Sequence, residues 1–304
     1  MLKNDLKTYL TIRRSAGFGL EESERMLKLF VAFATERGDT HLRAATAIEW
    51  AKSARTLGVR HHRLQAVALF ARHLRAEDSR HEVPRGDLFH LPPRELRPFI
   101  YSPEQTHQLV AAAGKLGPVW SLRPHTFAAL FALLFSTGMR ISEALALRFD
   151  DVADGGLYIQ GTKFRKRRYL PLHETAQAGM RRYLELRKAR ASSTDHVFIG
   201  IQGKPLGYQG ALFGFHQSLK ASGVKQSPGQ PCPRIHDARH TFAVRALETS
   251  PDGRDHIGQH MRALSTYLGH SKIADTFWYL QATPRLMHDI ADACANQFAK
   301  GGAQ

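Results

Sequence analysis

Two segments in the last two thirds of the sequence carry cations and histidines at spacings suited to handling a phosphate. Arg140 stands at the start of a predicted helix; alone, it would equally suit a surface cation or an ion pair with Glu143, three residues on. The run His-Asp-Ala-Arg-His places His236 and His240 on one helix face, with Arg239 close by. Guanidinium groups hold phosphate oxygens in bidentate fashion and imidazole exchanges protons near neutral pH, so both segments suit phosphoryl chemistry.

A third segment is a strongly cationic turn between two predicted strands. Five of the six residues from Lys163 to Arg168 are cationic. Such a run is most often a solvated turn. Concentrated charge of one sign repels itself, however, and the phosphates of a nucleic acid would relieve that repulsion. We therefore expect Arg165, Lys166 and Arg167 to contact DNA.

A fourth segment combines Leu268-Gly269-His270 with Tyr279, nine residues after the histidine. Either residue alone would normally be a packing residue. A tyrosine hydroxyl has a pKa of about 10 and is protonated at neutral pH. As a nucleophile, Tyr279 would need a neighbouring base or a positive field that lowers its pKa.

Taken in chain order, these segments resemble the tyrosine recombinase (phage integrase) family, and the resemblance covers essentially the whole second part of the chain. The order is arginine, hairpin lysine, His-x-x-Arg, Gly-His and tyrosine. The resemblance implies site-specific DNA recombination through a 3′-phosphotyrosyl intermediate, without metal, ATP or other cofactor. The residues that match the family's catalytic positions are Arg140, Lys163, His236, Arg239, His270 and Tyr279.

The chemistry of these residue types agrees with the roles that the resemblance implies. A phosphodiester gains negative charge in a five-coordinate transition state, which two guanidinium groups can stabilise. His236 is the expected base for Tyr279, and Lys163 the expected proton donor to the leaving 5′-oxygen. His270 would donate a hydrogen bond to the phosphate. Because the covalent link conserves the energy of the broken bond, rejoining needs no nucleotide.

Three alternatives stay open on the sequence alone. A type IB topoisomerase-like enzyme shares the chemistry but only relaxes supercoils. A zinc hydrolase built on His236 and His240 lacks an obvious third ligand, and Asp237 is one methylene shorter than the usual glutamate. A non-catalytic DNA-binding accessory protein would not need the full set of matching residues.

Composition points to the same class of partner. The chain has 304 residues and a formal net charge of +16, which indicates a polyanion, with double-stranded DNA ahead of an anionic membrane surface. The two cysteines, Cys232 and Cys294, form neither a disulfide framework nor a zinc-finger spacing. The densest apolar run, 127–135, is too short to span a bilayer. With no secretory signal in the sequence, we expect a cytoplasmic protein of bacterial or phage type, acting with the nucleoid.

The predicted fold class is mainly α with a small β-sheet. A proline-rich stretch from His81 to Pro103 cannot continue a helix. It separates an all-helical DNA-clamping domain (1–80) from a mixed α/β catalytic domain (101–304), with a linker over 81–100. Periodicity predicts four helices in the first part and a buried helix over 127–135 that Gly138 breaks. Strands are predicted over 156–160, 168–172 and 197–199.

The C-terminal tail carries an apolar stripe at helical spacing. Members of the family that the chain resembles pass such an element to a neighbour in a four-protein complex on two DNA sites. We therefore expect a homotetramer on paired sites, possible company of related recombinases, and no membrane partner. The stripe comprises Leu286, Met287, Ile290, Ala293, Cys294 and Phe298.

Overall fold

The chain forms two compact units, each with a hydrophobic core of its own. In a computed structural model, the described residues are 2–90, 98–160, 167–190, 192–249 and 257–269, with Thr276 and Tyr279. Those up to residue 90 belong to the first unit and those from residue 98 to the second. Within these ranges, no helix has the length and apolar character needed to cross a membrane.

The first unit is helical throughout its described elements, as the periodicity predicts. Its helices are α1 (Leu2–Ser15), α2 (Glu21–Glu36), α3 (Ala44–Lys52) and α4 (Leu57–Glu77). An apolar stripe on α4 is buried, because residues three and four apart share a helix face; it consists of Leu64, Val67, Ala68, Ala71 and Leu74. Thr56 caps the start of α4 by accepting a hydrogen bond from the backbone nitrogen of Val59.

The segment after α4 packs on the first unit. His81 is buried, and its Nδ1 accepts a hydrogen bond of 3.0 Å from the backbone nitrogen of Leu42. The backbone nitrogen of Glu82 donates to the carbonyl of Leu42 at 2.8 Å. Val83 and Phe89 lie against the same core. The first ten residues of the proline-rich segment are therefore a packed, non-helical layer of the first unit.

The second unit combines seven helices with a small sheet in its described part. The helices are α5 (Pro103–Ala113), α6 (Arg123–Thr137), α7 (Ile141–Ala146), α8 (Glu174–Lys188), α9 (Tyr208–Ser222), α10 (Asp237–Glu248) and α11 (Ile257–Leu268). The strands are β1 (Val152–Ala153), β2 (Gly156–Gln160) and β3 (Arg167–Pro171), antiparallel in the order β1-β2-β3. Gln160 pairs with Arg167, so β2 and β3 bracket the segment that contains Lys163.

Helix α6 is the centre of this unit, because its side chains are buried on nearly every face. It packs against α5, α8 and α10. Ser102 starts α5 with a capping box, in which its hydroxyl accepts from the backbone nitrogen of Gln105 and the Gln105 amide accepts in return.

Some sequence-based expectations differ from the structure. The strand expected over 197–199 does not form: Ile199 makes only an isolated bridge to Pro205, since no neighbouring strand extends the pairing. Strand β1 was not expected, because two residues carry no periodicity. The helix expected from Arg140 begins at Ile141, with Arg140 as its N-cap. The C-terminal tail lies outside the described residues.

Candidate active site

Gly138 ends α6 and determines how the chain enters the site. Its φ of 61° is in the left-handed region, which favours glycine. A Cβ at this position would lie 2.5 Å from Cδ1 of Phe242, so space as well as backbone conformation requires glycine. The Gly138 carbonyl accepts a hydrogen bond of 2.8 Å from Nη1 of Arg239. The break in α6 therefore directs the chain toward Arg140 and anchors Arg239.

Arg140 is held by Glu143, one turn along α7. The carboxylate of Glu143 accepts from the backbone nitrogen of Arg140 at 2.9 Å and from Nη1 of the same residue at 3.0 Å. The ion pair that the sequence offers as an alternative thus exists, but it does not bury the arginine. The Arg140 side chain is 39% exposed, which leaves donors for a ligand.

The C-terminal end of α11 gathers three arginines. The last carbonyls of a helix lack partners within the helix and form its negative end. Here the carbonyls of residues 267, 268 and 269 accept hydrogen bonds of 3.1, 2.8 and 3.2 Å from Arg168, Arg239 and Arg140, respectively. One helix end therefore places three guanidinium groups side by side, immediately before His270 in the sequence.

Arg239 is the most deeply placed of the three. It is 3% exposed, and both acceptors shown for it are backbone carbonyls, those of Gly138 and Leu268. Burial, together with the positive charge of Arg140, lowers the pKa of Arg239 to about 10. The guanidinium stays charged at neutral pH, because this value is well above 7. The site thus contains a buried positive charge in fixed orientation.

His236 lies at the surface immediately before α10, and Asp237 fixes that turn. Asp237 is fully buried and accepts from the backbone nitrogen and Nη2 of Arg234, both at 2.8 Å. Surrounding protein and the charge of Arg239 lower the pKa of His236 below its ordinary value, which favours the neutral imidazole. A neutral imidazole can accept a proton.

Tyr279 lies next to His240, which in turn contacts His236. The rings of His236 and His240 meet edge-on with centroids 4.8 Å apart, and the ring of Tyr279 is 5.5 Å from that of His240. Tyr279 is 3% exposed and packs with side chains of α10 and α11. Its charge state also influences Arg239, so the two residues are within electrostatic reach. The structure thus brings together Arg140, His236, Arg239 and Tyr279.

The structure does not describe four of the other predicted site residues. Lys163, Arg165, Lys166 and His270 lie outside the described residues. Arg167 is described: it lies on β3 with a side chain 62% exposed, 3.8 Å from a carboxylate oxygen of Asp151. That exposure leaves Arg167 accessible to a ligand.

Sequence reasoning gave Arg168 no role in the site, since it is only the last residue of the cationic run and the first residue of a predicted strand. The structure instead pairs Arg168 with Glu143 through two hydrogen bonds of 3.0 and 2.9 Å. The only sequence signal was the start of a predicted strand at this residue.

The zinc hydrolase alternative depends on metal ligation by His236 and His240. In the parts of the chain that the structure describes, no group of three His, Cys, Asp or Glu side chains is placed to hold a metal ion. The carboxylate of Asp237 is turned to Arg234.

The second unit is mostly helical and places two guanidinium groups, an imidazole and a buried tyrosine together, an arrangement suited to holding a phosphate. The chain matches the model of the phage integrase family over residues 101–285. It is 34% identical to a putative integrase/recombinase of Sinorhizobium fredii, over 93% of this chain and 94% of that protein. The chain therefore belongs to the phage integrase family, the tyrosine-type site-specific recombinases.

Two further comparisons agree with this assignment. The chain is 30% identical to the tyrosine recombinase XerC of Pseudomonas savastanoi pv. phaseolicola, over 86% of this chain and 82% of that protein. Its fold is similar to that of lambda integrase, solved as a tetramer bound to a Holliday junction. The TM-score is 0.55 at 20% identity, covering 89% of this chain and 77% of the other. The predicted family and fold class are confirmed.

Proposed function

We propose that this chain is a site-specific DNA recombinase that breaks and rejoins strands through a 3′-phosphotyrosyl link at Tyr279. The observation that carries the proposal is the convergence of Arg140, Arg239, His236 and Tyr279, residues up to 139 positions apart, around the end of α11. Neither metal nor ATP is part of the proposed reaction.

The charge of the site supports this chemistry. Arg140 and Arg168 share the carboxylate of Glu143, and Arg239 donates to backbone carbonyls, so these four described side chains together carry a net charge of +2. A phosphodiester carries one negative charge, and attack by a tyrosine oxygen adds a second in the five-coordinate transition state. The cluster therefore matches the transition state better than the ground state, as catalysis requires.

In the proposed reaction, the Tyr279 oxygen forms a bond to the scissile phosphorus as the bond to the 5′-oxygen breaks. His236 takes the tyrosine proton, directly or through a water molecule, and Lys163 gives a proton to the departing 5′-oxygen. His270 donates a hydrogen bond to the phosphate. In the reverse direction, a 5′-hydroxyl attacks the phosphotyrosine and releases Tyr279.

The decisive experiment is Tyr279→Phe, which keeps the ring in its apolar surroundings but removes the attacking oxygen. We expect the variant to bind DNA normally and to form no covalent adduct on a nicked suicide substrate. Adducts resolve on denaturing gels, and an adduct that persists in the variant would falsify the assignment. The native target is mapped first by recovering DNA covalently attached to wild-type protein from around the encoding locus.

We further propose that a homotetramer acts on two paired sites in bacterial DNA, in the cytoplasm with the nucleoid. The tetrameric assembly of lambda integrase and the bacterial origin of both relatives support this. The apolar stripe after Thr283 would pack on a neighbouring subunit.

Truncation after Thr283 tests the assembly. We expect nearly unchanged binding to one site but weaker cooperativity on two-site DNA, measured by gel-shift titration. Equal cooperativity in both proteins would mean that the tail packs on its own subunit. Full activity on DNA with one site would instead favour a topoisomerase-like enzyme.

A further inference from the structure

The side chain of Arg168, the last residue of the cationic run, directs its hydrogen bonds to acceptors within the protein. All three of its side-chain nitrogens donate to protein acceptors: Nη1 and Nη2 to the two oxygens of Glu143, and Nε to the carbonyl of Tyr267 at 3.1 Å. Its side chain is 20% exposed, about half the exposure of Arg140. The two arginines share the carboxylate of Glu143, but Arg140 is more exposed than Arg168 and so has more of its guanidinium accessible to a ligand.

Glu143 links the two arginines rigidly. Its oxygens accept four hydrogen bonds, two from Arg140 and two from Arg168, which fills the capacity of a carboxylate. The side chain is 5% exposed. Burial by itself would raise the pKa of Glu143, but the hydrogen bonds from Arg168 and the Arg140 backbone lower it overall, so the carboxylate is charged.

Gly269 provides an independent sign of how closely Arg168 approaches. A Cβ at residue 269 would lie 2.9 Å from Nη1 of Arg168, and the φ of 67° also favours glycine. The carbonyl of this same residue accepts from Arg140. The glycine that precedes His270 therefore allows the arginine of β3 to contact the last turn of α11.

We propose that Arg168 is a positioning residue for the recombination reaction: it fixes Glu143 and the end of α11, and through them the guanidinium of Arg140. Arg168 also lies five residues after Lys163 in the sequence, near the start of β3. It therefore ties the strand that follows the lysine to the arginines on the helices. This inference rests on the proposed strand-breaking chemistry.

The test is Arg168→Lys, assayed for single-turnover adduct formation on a suicide substrate at saturating DNA. Lysine keeps the positive charge but cannot reproduce a planar fork with three donors in fixed directions. Misplacement of a reacting group by about 1 Å lowers rates on the order of 10²-fold, and we expect a defect of that size. The affinity for a single DNA site, measured by gel shift, should change little, because the side-chain nitrogens of Arg168 donate to protein acceptors and not to DNA.

A double-mutant cycle separates positioning from general damage to the fold. If Arg168 acts through Arg140, then Arg168→Lys should slow an Arg140→Ala protein by less than about threefold, since the group to be positioned is gone. A simple loss of structure would slow both backgrounds by the same factor. Arg148→Lys is the matched control, because Arg148 also pairs with a carboxylate, Asp195, and its side chain is 53% exposed. It should react at the wild-type rate.

Glu143→Gln carries the same test if the Arg168 variant does not fold, because it keeps the side-chain volume and removes the charge between the arginines. Wild-type rates in the Arg168→Lys protein, or equal defects in both backgrounds, would overturn the inference while the proposed function stands. Wild-type protein that forms no adduct would overturn both.

Discussion

A set of surface arginines in the first unit and the three arginines at the end of α11 in the second unit are held by different kinds of partner. In the first unit, arginines pair with carboxylates at the surface, with side-chain exposures from 43% for Arg37 to 82% for Arg85. In the second unit, the three arginines at the end of α11 all donate to backbone carbonyls, and two of them, Arg140 and Arg168, also share the carboxylate of Glu143. These pairs are Arg14 with Glu24, Arg25 with Glu22, Arg37 with Glu49, Arg43 with Asp39, Arg80 with Asp78 and Arg85 with Asp87.

The difference shows how a chain can keep positive charge available for a ligand. A carboxylate cancels the charge of an arginine, whereas a carbonyl fixes its orientation and leaves the full charge in place. Exposed pairs contribute little to stability, typically less than about 1 kcal/mol. The net charge of +16 is thus an incomplete guide to DNA binding, because the partners of each cation decide how much of it a phosphate meets.

After removal of Tyr279, the largest loss of cleavage rate is expected from a change of Lys163. This cation is proposed to donate a proton to the leaving oxygen, whereas the arginines are proposed to hold the phosphate. Lys163→Ala should slow cleavage of ordinary DNA on the order of 10²–10⁴-fold, the usual range when a general acid is removed. A substrate with sulfur at the 5′-bridging position needs no proton on its leaving group and should recover most of the rate. Equal defects on the two substrates would assign Lys163 to the non-bridging oxygens or to binding.

Arg239 tests the comparison directly. Arg239→Met removes a charge that is held only by carbonyls and should lower the cleavage rate on the order of 10²–10³-fold, as for loss of one donor to a developing oxyanion. Arg37→Met, in a surface pair of the first unit, should leave cleavage at its wild-type rate. Single-turnover assays of both variants decide the matter, and a similar rate for Arg239→Met and wild type would remove the distinction between the two kinds of arginine.

The dependence of DNA affinity on salt concentration shows which cations contact DNA phosphates. Changing Arg165, Lys166 and Arg167 together to Ala should lower the slope of log affinity against log salt by about 0.9 for each DNA phosphate that these side chains neutralise. Arg37→Ala should leave the slope nearly unchanged, because its partner Glu49 already neutralises it. Filter-binding titrations from low to moderate salt give both slopes. An unchanged slope in the triple variant would place the turn away from DNA.

The smallest effect is a change in titration. The pKa of His236 should lie below its ordinary value of 6.5, because desolvation of the imidazole by surrounding protein and then the charge of Arg239 oppose its protonation. Since the folded protein prefers the neutral imidazole, this group lowers stability as pH falls through 6.5 and has no effect well above it. In Arg239→Met, the pKa of His236 should rise, as measured by NMR of labelled imidazole carbons.

His81 is the control for that titration. Burial and the nearby His41 lower its pKa within the first unit, and Arg239→Met should not change it. A His236 pKa at or above 6.5 in the wild-type protein would contradict the prediction.

Sequence patterns predicted most of the helices because their periodicity is local. The stripe of α4 and the break at Gly138 each depend on residues within about one or two turns. The family was recognisable for a related reason: Arg140, His236, Arg239 and Tyr279 match the residue types and chain order of the motifs by which the family is recognised. Their individual roles stay predictions.

The support of the site was not predictable in this way. Arg168 reaches Glu143 across 25 positions and Tyr267 across 99, so no local pattern records either contact. Backbone carbonyls leave even less trace, because the sequence does not show where the carbonyls of residues 267–269 point. The prediction of a strand over 197–199 was wrong for a similar reason, since a strand forms only where a second strand, elsewhere in the chain, pairs with it.

The arrangement at the end of α11 also determines how the site responds to movement. Hydrogen bonds weaken steeply when donor and acceptor separate beyond about 3.2 Å. Three guanidinium groups donate to three successive carbonyls at the end of α11, so displacing that end by about 1 Å lengthens all three contacts together. The three positive charges are therefore expected to move together whenever the end of α11 moves.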